Sequence, residues 1–208
     1  MKGVDEMNLI CESQVVTDYL TVTAEVDYDH PLIVGLASDL AAASQDQVDF
    51  IEKSYIYVRD QIAHSWDIQS SRITCSASET LVYKEGICYA KANLLCAILR
   101  GAGIPSGFCY QRLTIGDTPD TGFCIHALNA VYIQKINSWI RLDARGNKPG
   151  IQAEFSLDGE KLAFMIRKEY DESEYMTIFK SPNLKTIETL KNNTDCINMY
   201  LHGLPDRL

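Results

Sequence analysis

Basic residues are in short supply: 19 lysines and arginines face 28 aspartates and glutamates, for a formal charge of −9 and a pI near 4.9. That balance argues against a nucleic-acid or anionic-membrane partner, since both need clustered Lys and Arg. Long apolar runs are missing too, none approaching the roughly 20 residues that span a bilayer. Met1-Lys2-Gly3-Val4-Asp5-Glu6 is polar and acidic, without the apolar stretch of a secretory signal. No repeat, low-complexity tract or Pro/Gly/Ser linker interrupts the chain. The seven cysteines are odd in number, scattered and mostly set in apolar stretches, where reduced cysteine packs as a small hydrophobe. We therefore expect a cytoplasmic protein without a disulfide framework. Zinc sites usually show closely spaced ligand pairs, and no two such pairs occur, so neither metal nor cofactor is expected. The oligomeric state is not legible.

What is present is enough apolar material, 46% of 208 residues, for a sizeable core. Residues 15–27 alternate loosely and read as one or two strands, and Pro31 opens a helix to about Ala43. Ser44 with Gln47 forms a capping box before Val48, Ile51, Tyr55, Val58 and Ile62 at helical spacing. A second box, Ser76 with Glu79, starts a short helix that stops near Gly86. Residues 108–115, 125–133 and 139–143 are aromatic and β-branched, as strands are. Past Pro149 a strand near 162–166 and a helix near 183–191 are expected, with the acidic run 169–174 as a solvated loop. Helices followed by an antiparallel run make the fold class α+β. The expected organisation is an N-terminal segment (1–45), a core (46–150) and an extension packed on it (151–208).

Between Gly86 and Gly101 lies a stretch that is apolar on nearly every side, broken only by Lys91, Asn93 and Arg100. Such a helix belongs in the middle of a core. Cys88 falls in its first turn, where unpaired N–H groups and the helix dipole favour an anion, and a thiol so placed ionises more readily. A cysteine nucleophile needs a base, and the base an orienting acceptor. Of four histidines, His126 lies inside a strand, and the next strand ends in Asp143. An even-numbered hairpin loop puts both on one face, and a four-residue loop leaves them staggered. Neither loop length nor register is fixed by the residues alone. Read without context, Cys88 and His126 are packed core residues and Asp143 a turn cap. His64 and Asp67 are read as a solvated loop in preference to a secondary polar pair near the cleft.

Gly86-Ile87-Cys88-Tyr89-Ala90-Lys91-Ala92-Asn93-Leu94-Leu95, Leu99-Arg100-Gly101-Ala102-Gly103-Ile104-Pro105, His126-Ala127 and Trp139-Ile140-Arg141-Leu142-Asp143 together resemble the transglutaminase-like superfamily in its bacterial form. The resemblance covers about residues 50 to 150. It implies a papain-like cysteine protease fold, with the Cys-bearing helix packed on an antiparallel sheet carrying His and Asp. It also implies Cys88 as nucleophile, His126 as base and Asp143 as orienting acid. Two departures touch substrate contacts: Leu128 stands where the family has an aromatic, and Asp143-Ala144 replaces Asp-Pro.

The expected activity is cysteine-dependent acyl transfer from amide bonds of a peptide or protein, through a thioester on Cys88. Water as acceptor, giving a peptidase or deamidase, is favoured over transamidation. Besides the backbone N–H of Cys88, Gln111 and Trp66 are candidate oxyanion or substrate-binding groups. The alternative is an inactive module of the same fold that binds a peptide in the cleft.

Overall fold

The computed structural model describes residues 9–116 and 118–208. The polar segment 1–6 lies outside the described residues. Pro31, with its fixed φ, opens helix α1 (Pro31–Ala42), and the His30 ring caps it by accepting from Leu32 N at 3.3 Å. Helix α2 (Gln47–Gln61) is capped by Asp46, whose carboxylate accepts from Asp49 N at 2.9 Å. Ser44, expected as that cap, instead donates back to Leu40 O and finishes α1. At helix α3 (Ala77–Tyr83) Ser76 accepts from Glu79 N, while Glu79 reaches back to Cys75 N, so the second capping box forms. Two short strands, β2 (Ala63–His64) and β3 (Glu85–Gly86), then pair in parallel, His64 opposite Gly86.

Helix α4 (Cys88–Gly101) is buried from Tyr89 through Arg100. Its three polar interruptions act as ties to backbone carbonyls, as buried donors must. Lys91 donates to Ile62 O and Arg59 O, Asn93 to Cys75 O, and Arg100 to Ser106 O, Thr21 O and Lys180 O. Around this helix α1, α2 and α3 form one wall and the sheet the other.

The sheet has the order β1-β7-β4-β5-β6, with β1 (Ile10–Cys11), β4 (Ser106–Thr114), β5 (Phe123–Ile133), β6 (Ser138–Leu142) and β7 (Ser173–Phe179). All pairings are antiparallel except β1 with β7. The period of two is visible on β5: Ile125, Ala127, Val131 and Ile133 face the α4 cluster, while Leu128 and Ala130 pack with Tyr19, Cys109 and Ile178. The fold is α+β, as expected.

Three expectations for local structure are overturned. Residues 15–27 hold a 3-10 turn (Val16–Leu20) and irregular chain rather than strands. Tyr19 is driven under the sheet there, where its hydroxyl donates to Ile178 O and accepts from Ser13 N. Residues 162–166 form no strand, because their backbone serves side chains instead: Ala163 N donates to Asp143, and Phe164 O accepts from Gln111. The acidic run leads into a strand rather than lying solvated. Glu172 is buried under Thr114 N and Arg167, and Glu174 belongs to β7. The expected C-terminal helix is α5 (Leu184–Asn192), and a further helix, α6 (Cys196–His202), follows it. No helix among the described residues is long and apolar enough to cross a membrane.

Candidate active site

A cleft of about 600 Å³ opens where the N-terminus of α4 meets the start of β5, with Cys88, His126, His64, Trp66, Arg145 and Tyr200 in its lining. Two bonds fix the helix against the sheet there. The Tyr89 hydroxyl donates to Ile125 O at 2.8 Å, one residue before His126. Farther along, Asn129 Nδ2 donates to Ala92 O at 3.1 Å.

Cys88 is the first residue of α4, preceded by the extended Ile87, and is half-buried. Its sulfur and the His126 ring line the same cleft, and the sulfur acts to raise the imidazole's pKa. The other side of that ring meets a carboxylate: His126 Nε2 and Asp143 Oδ2 are 2.8 Å apart, which leaves Nδ1 for the sulfur. Strands β5 and β6 are joined by four residues, 134–137, and pair Asn129 with Leu142. Continued by one step, that register sets Asp143 opposite Leu128, so His126 is its diagonal neighbour on the same face. This is the staggered case, and a 2.8 Å contact still forms across it.

Asp143 both caps a turn and faces the imidazole. Its Oδ1 accepts from Arg145 N, and its Oδ2 also accepts from Ala163 N, each at 3.1 Å. Burial raises the cost of its charge, but the His126 ring and these two N–H groups hold its carboxyl below the usual range. Burial likewise opposes a charged His126, yet the Asp143 carboxylate and the Cys88 sulfur outweigh it and push the imidazole up to about 10. Phe164 packs against the His126 ring in an edge arrangement, centroids 5.0 Å apart.

The other six thiols are disfavoured as thiolates by burial. Burial pushes Cys75 and Cys196 up to about 11 and Cys109 and Cys124 up to about 12, and raises Cys11 and Cys96 as well. All seven cysteines are free. Among the described residues, no three His, Cys, Asp or Glu side chains cluster as metal ligands do.

The two side chains expected as oxyanion donors lie apart. Gln111 is opposite His126 in the β4–β5 register but fully buried, with Nε2 donating to Glu174 at 2.8 Å and Phe164 O at 3.3 Å. Both amide hydrogens are thereby used, and Gln111 is not among the residues that line the cleft. Trp66 does line it, lying flat on Tyr200 with centroids 4.3 Å apart.

Two residues given no role in the site by the sequence reading belong to its surroundings. His64, taken for a solvated loop residue, is only 6% exposed and forms part of the cleft wall. Its neighbour Asp67 is bound by Arg145 Nη2 at 2.9 Å and by Lys148 at 2.6 Å, and these cations outweigh burial and hold its carboxyl at about 2. Lys91, one turn into α4 from Cys88, is buried by the C-terminus of α2, and burial together with Arg145 brings its amine down to about 7. Its position inside an otherwise apolar helix was the available signal. For His64 none existed, since its burial depends on the long-range β2–β3 pairing.

A family model for the transglutaminase-like superfamily matches residues 34–144, more than half of the 208 residues. Among solved structures, a candidate cysteine protease from Cytophaga hutchinsonii is 18% identical, with a TM-score of 0.52 over 64% of this chain and 43% of that one. The periplasmic domain of TgpA from Pseudomonas aeruginosa is 17% identical, with a TM-score of 0.46 over 61% and 46% of the two chains. A structure described as a TGase is 17% identical, with a TM-score of 0.42 over 66% and 37%. The chain thus spans less than half the length of each of these proteins. No curated protein matches it. On the family match, with the Cytophaga protein sharing its fold, the chain belongs to the transglutaminase-like superfamily.

Proposed function

We propose that the chain is a cysteine-dependent acyl-transfer enzyme that opens amide bonds of peptides or proteins through a thioester on Cys88. The observation that supports this reading is the 2.8 Å contact of His126 with Asp143, on a ring that lines the same cleft as Cys88. Cys88 and His126 rest as a thiolate and an imidazolium, with Asp143 holding the ring's orientation. The thiolate attacks the carbonyl carbon, and the N–H of Cys88 at the helix start faces the growing oxyanion. When the intermediate collapses, the C–N bond breaks and the departing amine takes the proton of His126.

Water resolves the thioester in our reading, which makes the enzyme a peptidase or deamidase. Among the described residues the one carboxylate in the cleft lining, Glu172, is already bound by Arg167 and Thr114 rather than left to receive a second amine. Seven free thiols support a reducing compartment such as the cytoplasm. The excess of acidic residues leaves peptide or protein, rather than nucleic acid, as substrate.

The experiment is incubation of the protein, and of Cys88→Ala, with a peptide library and a primary amine, read by mass. Loss of ammonia or backbone cleavage that requires Cys88 supports the reading. Amine addition in place of hydrolysis shifts it to transamidation. Intact peptides in every condition leave the fold as a peptide-binding module.

A further inference from the structure

Acyl transfer requires a second donor for the oxyanion, and neither Gln111 nor a free helix end supplies it: Gln111 has both amide hydrogens engaged outside the cleft. His64 lies in the wall of the same cleft, paired with the strand that leads into Cys88. The parallel pairing sets it opposite Gly86, two residues before the nucleophile, with Ala63 N bonded to Lys84 O and Ser65 N to Gly86 O. Adjacent strands run about 4.8 Å apart, so the side chain starts within one residue's reach of the α4 N-terminus. The ring lies in the wall of the same cleft as Cys88 and His126.

The two ring nitrogens have different surroundings. Nδ1 is wholly shielded and has no hydrogen-bond partner, whereas Nε2 is not among the shielded, unpaired atoms. A buried N–H without an acceptor is the rarer and costlier defect, and a bare lone pair the milder one. The proton is therefore assigned to Nε2.

We propose that the Nε2–H of a neutral His64 is the side-chain donor of the oxyanion hole, paired with the backbone N–H of Cys88. This rests on the acyl-transfer reading above. As the sulfur–carbon bond forms, the carbonyl π electrons move onto oxygen and are held by these two N–H groups. They return to re-form the C=O when the leaving group departs with the proton of His126. Nothing is transferred from His64.

Neutrality of the ring is consistent with its surroundings. Burial is the chief influence, and the positive charges of Arg145, Lys91 and His126 act with it against the single opposing carboxylate of Asp67, so the ring titrates well below the ordinary histidine range. The uncharged edge of Tyr200 completes its environment. A charged imidazole here would compete with His126 for the thiolate; a neutral one donates without doing so.

Two reactions at Cys88 separate this role from thiol activation. Iodoacetamide alkylates sulfur by displacement and forms no oxyanion, whereas p-nitrophenyl acetate acylates it through a tetrahedral one. His64→Phe is expected to slow acylation about 10²-fold, the usual effect of losing one oxyanion donor, with alkylation of Cys88 at the wild-type rate. His64→Gln, which keeps an N–H, should recover most of the loss. Equal slowing of both reactions, no slowing of either, or an acylation-selective loss in Trp66→Phe instead of His64→Phe overturns the proposal. A wild-type Cys88 that reacts selectively with neither reagent overturns the acyl-transfer reading and this one together. Should His64→Phe fail to fold, nitrogen NMR of the wild-type ring decides. The neutral Nε2–H tautomer is expected near pH 7, and an Nδ1–H tautomer or an imidazolium overturns it.

Discussion

His126 Nε2 and Asp143 Oδ2 meet at 2.8 Å, although the β5–β6 hairpin offsets the two residues by a diagonal step. Asp143 is held for this contact by two backbone N–H groups, so the carboxylate is positioned before the ring arrives. Asp143→Asn can keep only one of those bonds, because its amide nitrogen donates rather than accepts, and it removes the charge that raises His126. We expect kcat to fall by about 10²–10⁴, the range for impaired general acid–base catalysis, with little change in KM. Amide turnover by the wild type should decline above about pH 10, where His126 gives up its proton, and this limb should move to lower pH in the variant. An unshifted limb would show that the carboxylate does not govern the ring.

Cys88 is expected to react with iodoacetamide far ahead of the other six thiols near pH 6. Burial raises the pKa of every one of those six, and the thiolate is the reacting form. Peptide mapping after brief labelling reads this directly. Equal label on Cys88 and Cys11 would refute it. Cys88→Ala, at a half-buried helix start, should leave the melting temperature close to wild type.

Lys91 gives a stability signature with a definite sign. Its folded pKa of about 7 stands below the ordinary 10.5, so between these values the unfolded chain holds one more proton than the native one. This residue's contribution to stability therefore improves as pH rises from about 7 to 10.5, by up to about 1.4 kcal/mol per pH unit. Urea unfolding of wild type and Lys91→Met at several pH values isolates it. A difference between the two that stays constant across the window would mean the amine is not depressed.

Gly107 permits a close approach that no other residue can make. A Cβ there would stand 2.7 Å from both Ile178 Cγ2 and Phe179 O, and the second is backbone in the neighbouring strand β7. Gly107→Ala should cost about 1–3 kcal/mol through overpacking, measured as a lower denaturation midpoint. An unchanged midpoint would mean that β4 and β7 can part at that point.

Arg100 closes the far end of α4 by donating to carbonyls of Ser106, Thr21 and Lys180. Arg100→Leu strands these acceptors, and we expect a loss of roughly 3 kcal/mol with the Cys88 alkylation rate unaltered. A large fall in that rate would instead tie Arg100 to the cleft.

Periodicity carried the reading of the helices, because Ile51, Tyr55 and Val58 or the apolar faces of α4 declare themselves at local spacing. The strands 106–114, 123–133 and 138–142 are legible at 108–115, 125–133 and 139–143 through their aromatic and β-branched content. Elements held by long-range contacts were not. Tyr19 pulls its segment into a 3-10 turn through a bond to Ile178, 159 residues away. Strand β7 is disguised by acidic residues whose charges are answered by Arg141 and Arg167. At the site, the roles proposed for Cys88, His126 and Asp143 come from the family resemblance, whereas nothing in the sequence gives His64 one. Its neighbours come from a two-residue parallel bridge that leaves no pattern in the chain.

Strand β7 carries one more consequence. It lies inside the sheet, between β1 and β4, yet its residues 173–179 fall well outside the matched stretch 34–144. A fragment trimmed to that stretch would leave the wholly buried β4 with a raw flank of unpaired amides and carbonyls, inviting edge-to-edge association. In this protein the hallmark portion of the superfamily is therefore architecturally dependent on sequence that follows it, and excising it should yield aggregates rather than a smaller enzyme.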